Sequence, residues 1–327
     1  MGATPRWDVL FLLLQGSLIL DWAGPAEALR MANVAMVAQG KPAPFHLRFI
    51  SPQPQAVSSV GVSVCGLEAL PSALTRPSWL VLLGQPGERM VLDDSASQAA
   101  LRWLTQITLK TGQLELLTIC AGAVLAAHAG LLTGRQVTTH HQHLEELAAA
   151  APACQVVRNR VFVDDAPLFS SAGVSTGIDL MLYRMAQVCG AAVAAHVAQT
   201  LVVAMRRGPH DPELSPFLSH RNHLHPALHR VQDAVSLQPT QDWHLSSMAS
   251  IACTSSRHLT RIFMTHAGIA PLQYLRQLRL HLAQTALKSG RNVTQAAALA
   301  GFSSDTQLRR AWHQAGLPGS PSQPESS

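Results

Sequence analysis

The sequence predicts a mostly parallel α/β sandwich followed by an all-α domain. Three observations support this. Short apolar segments alternate with helix-forming segments over the first two hundred residues, the pattern after residue 225 is helical throughout, and one motif occurs twice in that last part. Nearly continuous apolar strands that alternate with helices are typical of a parallel sheet covered on both faces. At 327 residues, the chain is long enough to bury two cores.

The apolar pattern of the first part gives the individual elements. We predict strands over residues 8–14, 45–50, 79–83, 114–119, 156–163 and 168–171. Helices are predicted over residues 25–38, 95–110, 121–129 and 176–205, the last as one or two helices. Residues 206–224 are rich in Pro, His and charge, which is typical of a surface linker. The predicted domains are therefore residues 1–205 and 225–327.

The charge is divided unevenly between the two parts. Residues 1–205 hold 12 Lys and Arg against 13 Asp and Glu, whereas residues 206–327 hold 12 against 6. Ten of the 16 histidines also lie beyond residue 206. A neutral body followed by a basic domain is the charge distribution expected of a nucleic-acid binder, although basic domains also bind membranes and acidic proteins.

Membrane, secreted, disulfide-rich and zinc-binding proteins are disfavoured. The longest apolar run, residues 9–20, is interrupted by polar residues and is shorter than the roughly 18 residues that a membrane helix needs. Asp8 precedes that run and no small-residue cleavage site follows it, so we interpret it as a buried strand, not a secretory signal. The five cysteines form no CxxC pair, which argues against a disulfide framework and a zinc site. We expect a cytoplasmic protein without a metal, a cofactor or a membrane partner.

An internal repeat is the strongest signal in the second part. Residues 245–249 align with 293–297 at a spacing of 48, and Ser255 aligns with Ser304 at a spacing of 49. Each copy reads as a short helix with a small residue, Ala249 or Ala297, where a second helix crosses it. A tight turn follows, with one extra residue in the second copy, and a Ser then begins the second helix. This is the pattern of two helix-turn-helix units.

The second helix of each unit has the composition of a DNA-recognition helix. The side chains expected to face inward are Leu259, Phe263, Leu308 and Trp312. The polar side chains expected to reach DNA are Arg257, His258, Thr260 and Arg261 in the first unit and Asp305, Thr306, Gln307, Arg309 and Arg310 in the second. We expect the two helices to enter successive major grooves about 34 Å apart. The alternative is an ordinary helical bundle with a solvated face.

These segments resemble the AraC/XylS regulators. The stretch SSRHLTRIFMTHAGIAPLQYLRQLRLHLAQTAL looks like their first recognition helix, followed by a Gly-x-x-Pro turn and a long linking helix at 271–288. VTQAAALAGFSSDTQLRRAW is similar to their second unit, with Ala296 where Ile is usual and with Leu308 and Trp312 where Phe is usual. GLPGSPSQ lacks the closing Tyr-Arg. The resemblance covers residues 225–320 and implies sequence-specific binding to double-stranded DNA.

In the first part, Cys120 has a plausible chemical role. It lies between the apolar strand at 114–119 and the small residues Ala121-Gly122-Ala123, the pattern of a nucleophile elbow. The start of a helix favours the thiolate form of a cysteine. Histidines follow at 140, 141 and 143, near enough in sequence to suggest a base. A buried cysteine at a tight turn, without any ligand, is the structural alternative.

The stretch ICAGAVLAAHAGLLTGRQVTTHH resembles the DJ-1/PfpI division of the class I glutamine-amidotransferase-like fold, most of all the domains fused to AraC-type regulators. LDWAGPAEAL and SSAGVSTGIDLMLYRMAQ extend the match over residues 7–205, and His140 takes the place of the histidine after the Thr-Thr pair. The resemblance implies a flavodoxin-like sandwich that serves as a ligand sensor. No acidic residue is clearly placed to orient a histidine; Asp21 and Glu27 are the candidates.

We therefore expect a transcription regulator, an activator that forms a homodimer and contacts RNA polymerase. Its small-molecule effector would be an amino acid or a quaternary amine, as the resemblance implies. The predicted ligand-binding residues are Cys120, Ala121, Gly122, His140 and Asp21. The first alternative is a cysteine-dependent hydrolase, deglycase or isomerase that carries a DNA-binding domain, with Cys120 and His140 as catalytic residues. The second is an architectural DNA binder without a ligand.

Overall fold

The computed structural model describes residues 6–203, 208–209, 220–221, 223, 225–317 and 319–322. Contacts divide the chain into two units, Met1–Glu213 and Leu214–Ser327. Most of the predicted linker, residues 206–224, lies outside the described residues, as does most of the C-terminal tail beyond residue 317. The domain bounds predicted from the sequence therefore stay a prediction. Among the described residues, no helix is both long and apolar enough to cross a membrane.

The first unit is built on a central sheet. Its strands, in chain order, are β1 (Trp7–Leu12), β2 (Phe45–Ile50), β3 (Gln55–Val57), β4 (Ser63–Cys65), β5 (Ser78–Leu82), β6 (Leu114–Ile119), β7 (Gln136–Val137), β8 (Gln155–Val156), β9 (Phe162–Asp165) and β10 (Leu168–Ser171). The main sheet has the order β2-β1-β5-β6-β10-β9. All its neighbouring pairs are parallel except β10–β9. This is the predicted flavodoxin-like order, and β9 adds an antiparallel edge strand to it.

Helices cover both faces of the sheet. They are α1 (Ile19–Ala38), α2 (Ser95–Leu104), α3 (Gly122–His128), α4 (Leu144–Ala150), α5 (Thr176–Cys189) and α6 (Ala191–Thr200), with a 3₁₀ turn at His141–His143. Leu29 of α1, Leu180 of α5 and Val197 of α6 pack in one core, on one face. Ala100 of α2 and Val124 of α3 pack in the other. The domain is therefore a three-layer sandwich whose strands are buried on both sides.

Several predicted bounds were wrong. The segment at 156–163 is not one strand, because Asn159 adopts a left-handed φ of 52° and separates β8 from β9. The helix predicted over 95–110 ends at Leu104, where the Thr105 hydroxyl donates to the Arg102 carbonyl. Helix α1 begins six residues before the predicted start at Pro25, so that Pro25 lies inside the helix as its seventh residue.

The second unit is entirely helical in its described part. Its helices are α7 (Pro226–Leu237), α8 (Leu245–Ile251), α9 (Ser256–Ala267), α10 (Pro271–Lys288), α11 (Val293–Leu299) and α12 (Asp305–Gln314). One core gathers α7, α8, α9 and the first half of α10, with Tyr274 fully buried at its centre. A smaller core gathers the second half of α10, α11 and α12 around Trp312. Helix α10 is therefore shared by two helix-turn-helix units, as predicted.

Candidate DNA interface and ligand site

The two helix-turn-helix units repeat the same local chemistry. Ala249 and Ala297 are 3% and 2% exposed where the second helix of each unit crosses the first, so a larger side chain would push the helices apart. Ser255 and Ser304 are the N-cap residues of α9 and α12, and each side chain accepts a backbone N–H of the first turn. A side-chain N-cap of this kind contributes about 1 kcal/mol and fixes where the helix begins.

Helix α9 separates an apolar face from a basic one. Leu259, Ile262 and Phe263 are buried in the core of the unit. Arg257 and Arg261 are exposed on the opposite side, at helical spacing i, i+4, so that both point away from the core. The exposed His258 accepts from the Arg261 guanidinium through Nδ1 at 2.9 Å.

Helix α12 repeats this arrangement. Leu308 and Trp312 are buried, and Thr306, Arg309 and Arg310 are exposed. Because Ser255 aligns with Ser304, Arg261 and Arg310 hold the same position in their units. The outward face of each unit is therefore basic and rests on a rigid apolar support, which is what a major-groove reading helix requires.

Besides His258 and Arg261, which bond to each other, three predicted DNA contacts form hydrogen bonds to other parts of the protein. The Thr260 hydroxyl donates to the Ser256 carbonyl at 3.0 Å. Asp305 accepts from the Thr294 hydroxyl at 2.9 Å, and Gln307 accepts from the backbone N–H of Ser303 at 2.8 Å. Each bond would have to break or be shared before that side chain could reach a base. All the predicted DNA contacts stay predictions, and the arginines are the most accessible of them, since Arg309 and Arg310 are exposed and the one partner shown for Arg261, His258, is exposed too.

In the first unit, Cys120 lies in a strained elbow between β6 and α3. Its φ is 56°, its side chain is 2% exposed, and its N–H donates to the Ser171 carbonyl at 3.1 Å. A positive φ costs a non-glycine residue roughly 1–2 kcal/mol. Close packing around the elbow holds this conformation in place. A Cβ on Gly173 would lie 2.2 Å from the Cys120 Cβ, and a Cβ on Gly122 would lie 2.3 Å from the Leu82 carbonyl oxygen, so both neighbouring positions have room only for glycine.

Asp21 lies against the two loops that flank the elbow. Its side chain is fully buried, and its carboxylate accepts backbone N–H groups of Gly84 at 3.1 Å and Val174 at 2.8 Å. A Cβ on Gly84 would lie 2.9 Å from the Cys120 sulfur. Burial raises the pKa of Asp21 to about 6, against the lowering effect of the two backbone donors. Of the two acidic candidates, only Asp21 is beside the elbow, because Glu27 is exposed and paired with Arg30.

His140 follows a residue that contacts the elbow. The Thr139 hydroxyl donates to the Cys120 carbonyl at 2.8 Å, which ties this segment to the nucleophile position. Burial and the neighbouring His141 and His143 lower the pKa of His140 to about 4, so its ring is neutral at pH 7. Its Nδ1 accepts the N–H of Gln142 at 3.5 Å, and the ring proton of this tautomer is then on Nε2.

An acidic residue does orient a histidine, contrary to the expectation from the sequence. His143 is 2% exposed and its Nδ1 lies 2.7 Å from an oxygen of Glu146. The other oxygen of Glu146 accepts the N–H of Met90 at 3.1 Å. The spacing of His143 and Glu146, three residues apart, is visible in the sequence and permits their contact. Nothing in the sequence shows that this pair is buried. Glu146 joins the His143 segment to the loop after β5.

Ala121 and Gly122 complete the predicted ligand-binding set. Ala121 is the N-cap of α3 and Gly122 its first residue, and both are buried. Helix α3 spans only seven residues, so its dipole adds little to the backbone N–H groups themselves. Within the described residues, no group of three or more His, Cys, Asp or Glu side chains could hold a metal ion.

Comparisons with known proteins identify the chain. The profile of the DJ-1/PfpI family matches residues 8–187, more than half of the chain. The chain belongs to the DJ-1/PfpI family. A second profile, described as a helix-turn-helix domain, matches residues 248–315. Together the two matches make it an AraC-family transcriptional regulator with an N-terminal DJ-1/PfpI domain.

Two transcriptional regulators are similar along nearly the whole chain. The HTH-type transcriptional regulator GlxA of Rhizobium meliloti is 29% identical over 92% of this chain and 90% of its own length. CdhR of Pseudomonas aeruginosa, also an HTH-type transcriptional regulator, is 28% identical over 97% of this chain and 90% of its own length. A solved AraC family transcriptional regulator from Pseudomonas putida, 20% identical, superposes with a TM-score of 0.51 over 60% of this chain and 99% of its own, which supports the fold.

Proposed function

We propose that this AraC-type regulator is a metabolite-controlled activator that reads DNA with α9 and α12. One observation supports DNA binding above all. Arg261 and Arg310 are exposed at equivalent positions on two helices, each of which has a side-chain N-cap and a buried apolar face. Arginine bridges guanine bidentately or pairs with phosphate, so each can supply affinity and specificity. Arg257 and Arg309 extend the same two basic faces.

Substitution of these arginines tests this assignment. Arg261→Ala and Arg310→Ala should each weaken operator binding by about 1–3 kcal/mol where the lost contact is to a base. Arg158→Ala is the matched control, because it removes one exposed arginine from the N-terminal domain. Bound DNA fragments are first selected from a random pool, and affinities are then measured at fixed salt. Unchanged binding by both variants would refute the assignment of α9 and α12.

We propose that the effector binds beside the elbow, at Cys120, Ala121, Gly122, His140 and Asp21. A buried carboxylate supports a cationic nitrogenous ligand, an amino acid or a quaternary amine. Among the described residues, Asp21 has two backbone donors and no cationic partner. At pH 7 it is mostly ionised, since its pKa is about 6. An ammonium group would compensate that buried charge.

Thermal-shift measurements test the effector site. Amino acids and quaternary amines are screened against the full chain, and a ligand at one hundred times its Kd should stabilise the folded state by about 2.7 kcal/mol. Asp21→Asn should lose that stabilisation, whereas Glu27→Gln, an exposed carboxyl on the same helix, should keep it. If no compound raises the melting temperature, the sensor proposal fails and an architectural DNA binder without a ligand is favoured.

A cysteine-dependent enzyme is the second candidate, because Cys120 has the positive φ of a nucleophile elbow. The full-length relatives disfavour it, because they are transcriptional regulators. Cys120→Ala separates the two functions. Turnover of a carbonyl or ester substrate that disappears in this variant while DNA binding persists would favour the enzyme.

We also propose that the chain is a homodimer, contacts RNA polymerase and has its domain boundary within 206–224. Two DNA-binding domains in one particle would raise the avidity for an operator that occurs twice, without any new contact. Light scattering measures the mass, and a mass of one chain, 35.0 kDa, would contradict the dimer. Limited proteolysis should cut first within 206–224. Transcription with purified polymerase should rise on a template that carries the operator.

A further inference from the structure

The two helix-turn-helix units touch through the turn of the second one. Gly301 lies in that turn with a φ of 78°, and a Cβ built on it would lie 2.7 Å from the Thr240 Cα and 3.2 Å from the Arg279 Nε. Thr240 belongs to the α7–α8 loop of the first unit. No side chain fits between these groups, and the obstructing atom is backbone. Gly301 therefore permits direct contact between the main chains of the two units.

Arg279 holds the same loop from the shared helix α10. Its Nε donates to the Pro239 carbonyl at 2.9 Å and its Nη2 donates to the Gln241 carbonyl at 2.7 Å. These carbonyls precede and follow Thr240, the residue that contacts Gly301, so the guanidinium binds the loop on both sides of Thr240. On its other side the loop is anchored by Trp243, which is 8% exposed in the core of the first unit and donates to the Gln238 carbonyl at 2.8 Å.

The first unit shows that the turn itself does not require glycine. Cys253 aligns with Gly301, has a φ of 54° and is exposed. A side chain is therefore tolerated in this turn where no neighbour blocks it. The glycine of the second unit is required by the contact with Thr240 and Arg279 as well as by its backbone conformation.

We propose that Arg279 and Gly301 form a latch that fixes the distance and rotation between α9 and α12, and so sets the half-site spacing that the regulator accepts. Both are positioning residues: they act through the α7–α8 loop and have no assigned contact with DNA. One base pair added between half-sites shifts them by about 3.4 Å and rotates them by roughly a tenth of a turn. A domain that holds α9 and α12 rigidly can bind only one of the two half-sites after such a shift. A domain in which the two helices can move relative to each other can still bind both.

The test is a spacing series. Operators are built with one or two base pairs inserted or deleted between the half-sites, and affinities of the full chain are measured for each. The wild-type protein should bind the natural spacing at least tenfold more tightly than either neighbour, and Arg279→Ala should reduce that ratio about tenfold. Arg279→Lys keeps the charge but cannot reach both carbonyls in the same fork, so it should give an intermediate ratio. Gly301→Ala should flatten the curve as Arg279→Ala does.

Arg230→Ala is the matched control, because its guanidinium contacts only a carbonyl within the first unit, that of Ile251, among the contacts described. It should keep the wild-type spacing curve. An unchanged ratio in folded Arg279→Ala and Gly301→Ala would overturn the latch. The latch matters only if both α9 and α12 enter DNA, as proposed above. If Arg261→Ala and Arg310→Ala weaken binding but Arg279→Ala and Gly301→Ala keep the wild-type spacing curve, only the latch proposal is wrong. If Arg261→Ala and Arg310→Ala bind as the wild-type protein does, the assignment of α9 and α12 to DNA is wrong.

Discussion

Cys253 and Gly301 hold the same turn position in two copies of one motif, and both have a left-handed backbone, with φ of 54° and 78°. Their surroundings differ. Cys253 is exposed, whereas a Cβ at Gly301 would overlap the backbone of Thr240. The same local conformation thus serves a free-standing turn in one unit and an inter-unit contact in the other.

Substitutions at these two positions should therefore have opposite effects on the free energy of unfolding. Cys253→Gly removes the strain of a left-handed cysteine and should change the free energy of unfolding by less than about 1 kcal/mol, in the stabilising direction. Gly301→Ala adds the same strain and a clash with backbone, and should destabilise the domain by about 2 kcal/mol or more. Urea denaturation of both variants checks this. Equal and small effects would mean that the contact with Thr240 can relax freely.

Substitutions at two glycines, Gly173 and Gly130, test the elbow around Cys120. Gly173→Ala would bring a Cβ within 2.2 Å of the Cys120 Cβ, and both residues have positive φ, so neither can move easily. We expect a loss of about 3 kcal/mol or more, or an insoluble protein. Gly130→Ala is the control, because it has a φ of 75° and no atom within 4 Å of an added Cβ. It should cost only the left-handed strain, about 1 kcal/mol.

The pH dependence of stability should report on Asp21. Its carboxyl titrates near the ordinary aspartate pKa of 3.8 in the unfolded chain and at about 6 in the folded one, because burial disfavours the charged form. A raised carboxyl pKa means that the unfolded state loses its proton first as pH rises. The contribution of Asp21 is therefore fully present below about pH 4 and is lost by about pH 6, a change of about 2–3 kcal/mol.

Asp21→Asn should remove this component. Subtracting the stability–pH curve of the variant from that of the wild-type protein should give a difference that falls between pH 4 and 6 and is flat above pH 7. Groups other than Asp21 cancel in the subtraction. A difference curve that is flat between pH 4 and 6, and that falls as the pH drops below 4, would mean that the two backbone donors lower the pKa of Asp21 more than burial raises it.

Glu146 should stabilise the segment beside the elbow through His143. Glu146→Gln keeps an oxygen for the Met90 N–H but deprives the buried His143 of its carboxylate partner, which should destabilise the domain by about 1–3 kcal/mol. The neighbouring Glu145→Gln should change stability by less than about 0.5 kcal/mol, because Glu145 is 82% exposed. Thermal denaturation compares the two. Hydrogen exchange at Met90 should accelerate in Glu146→Ala, which loses both bonds.

Apolar pattern predicted the scaffold well because the sheet is buried on both sides. The bounds of β2, β6, β10 and α10 were predicted correctly, and Pro271 marks the start of α10. The β3–β4 hairpin was not predicted, because its strands are three residues long and mostly exposed, and give no apolar run. Burial against a partner, and not strand propensity, decides such short elements.

Polar pairs inside the core could not be predicted either, because they too depend on burial against a partner that is distant in the sequence. Glu115 interrupts an apolar strand, yet it is 3% exposed and forms an ion pair with Arg184, itself 7% exposed. The Trp79 indole donates to the same carboxylate at 3.0 Å, and the guanidinium lies 3.8 Å from the Phe169 ring centre. Partners 69 residues apart in sequence meet only through the fold. The elbow, in contrast, was predicted correctly because its residues are consecutive.

The most direct test of the account is a footprint of the full chain on its selected operator. Each DNA-binding domain should protect two segments about one helical turn apart on one face of the DNA. Arg261→Ala should remove base discrimination in one segment and Arg310→Ala in the other, each leaving the second segment intact. Loss of the same segment in both variants, or loss of neither, would contradict the claim that two equivalent helices read two separate half-sites.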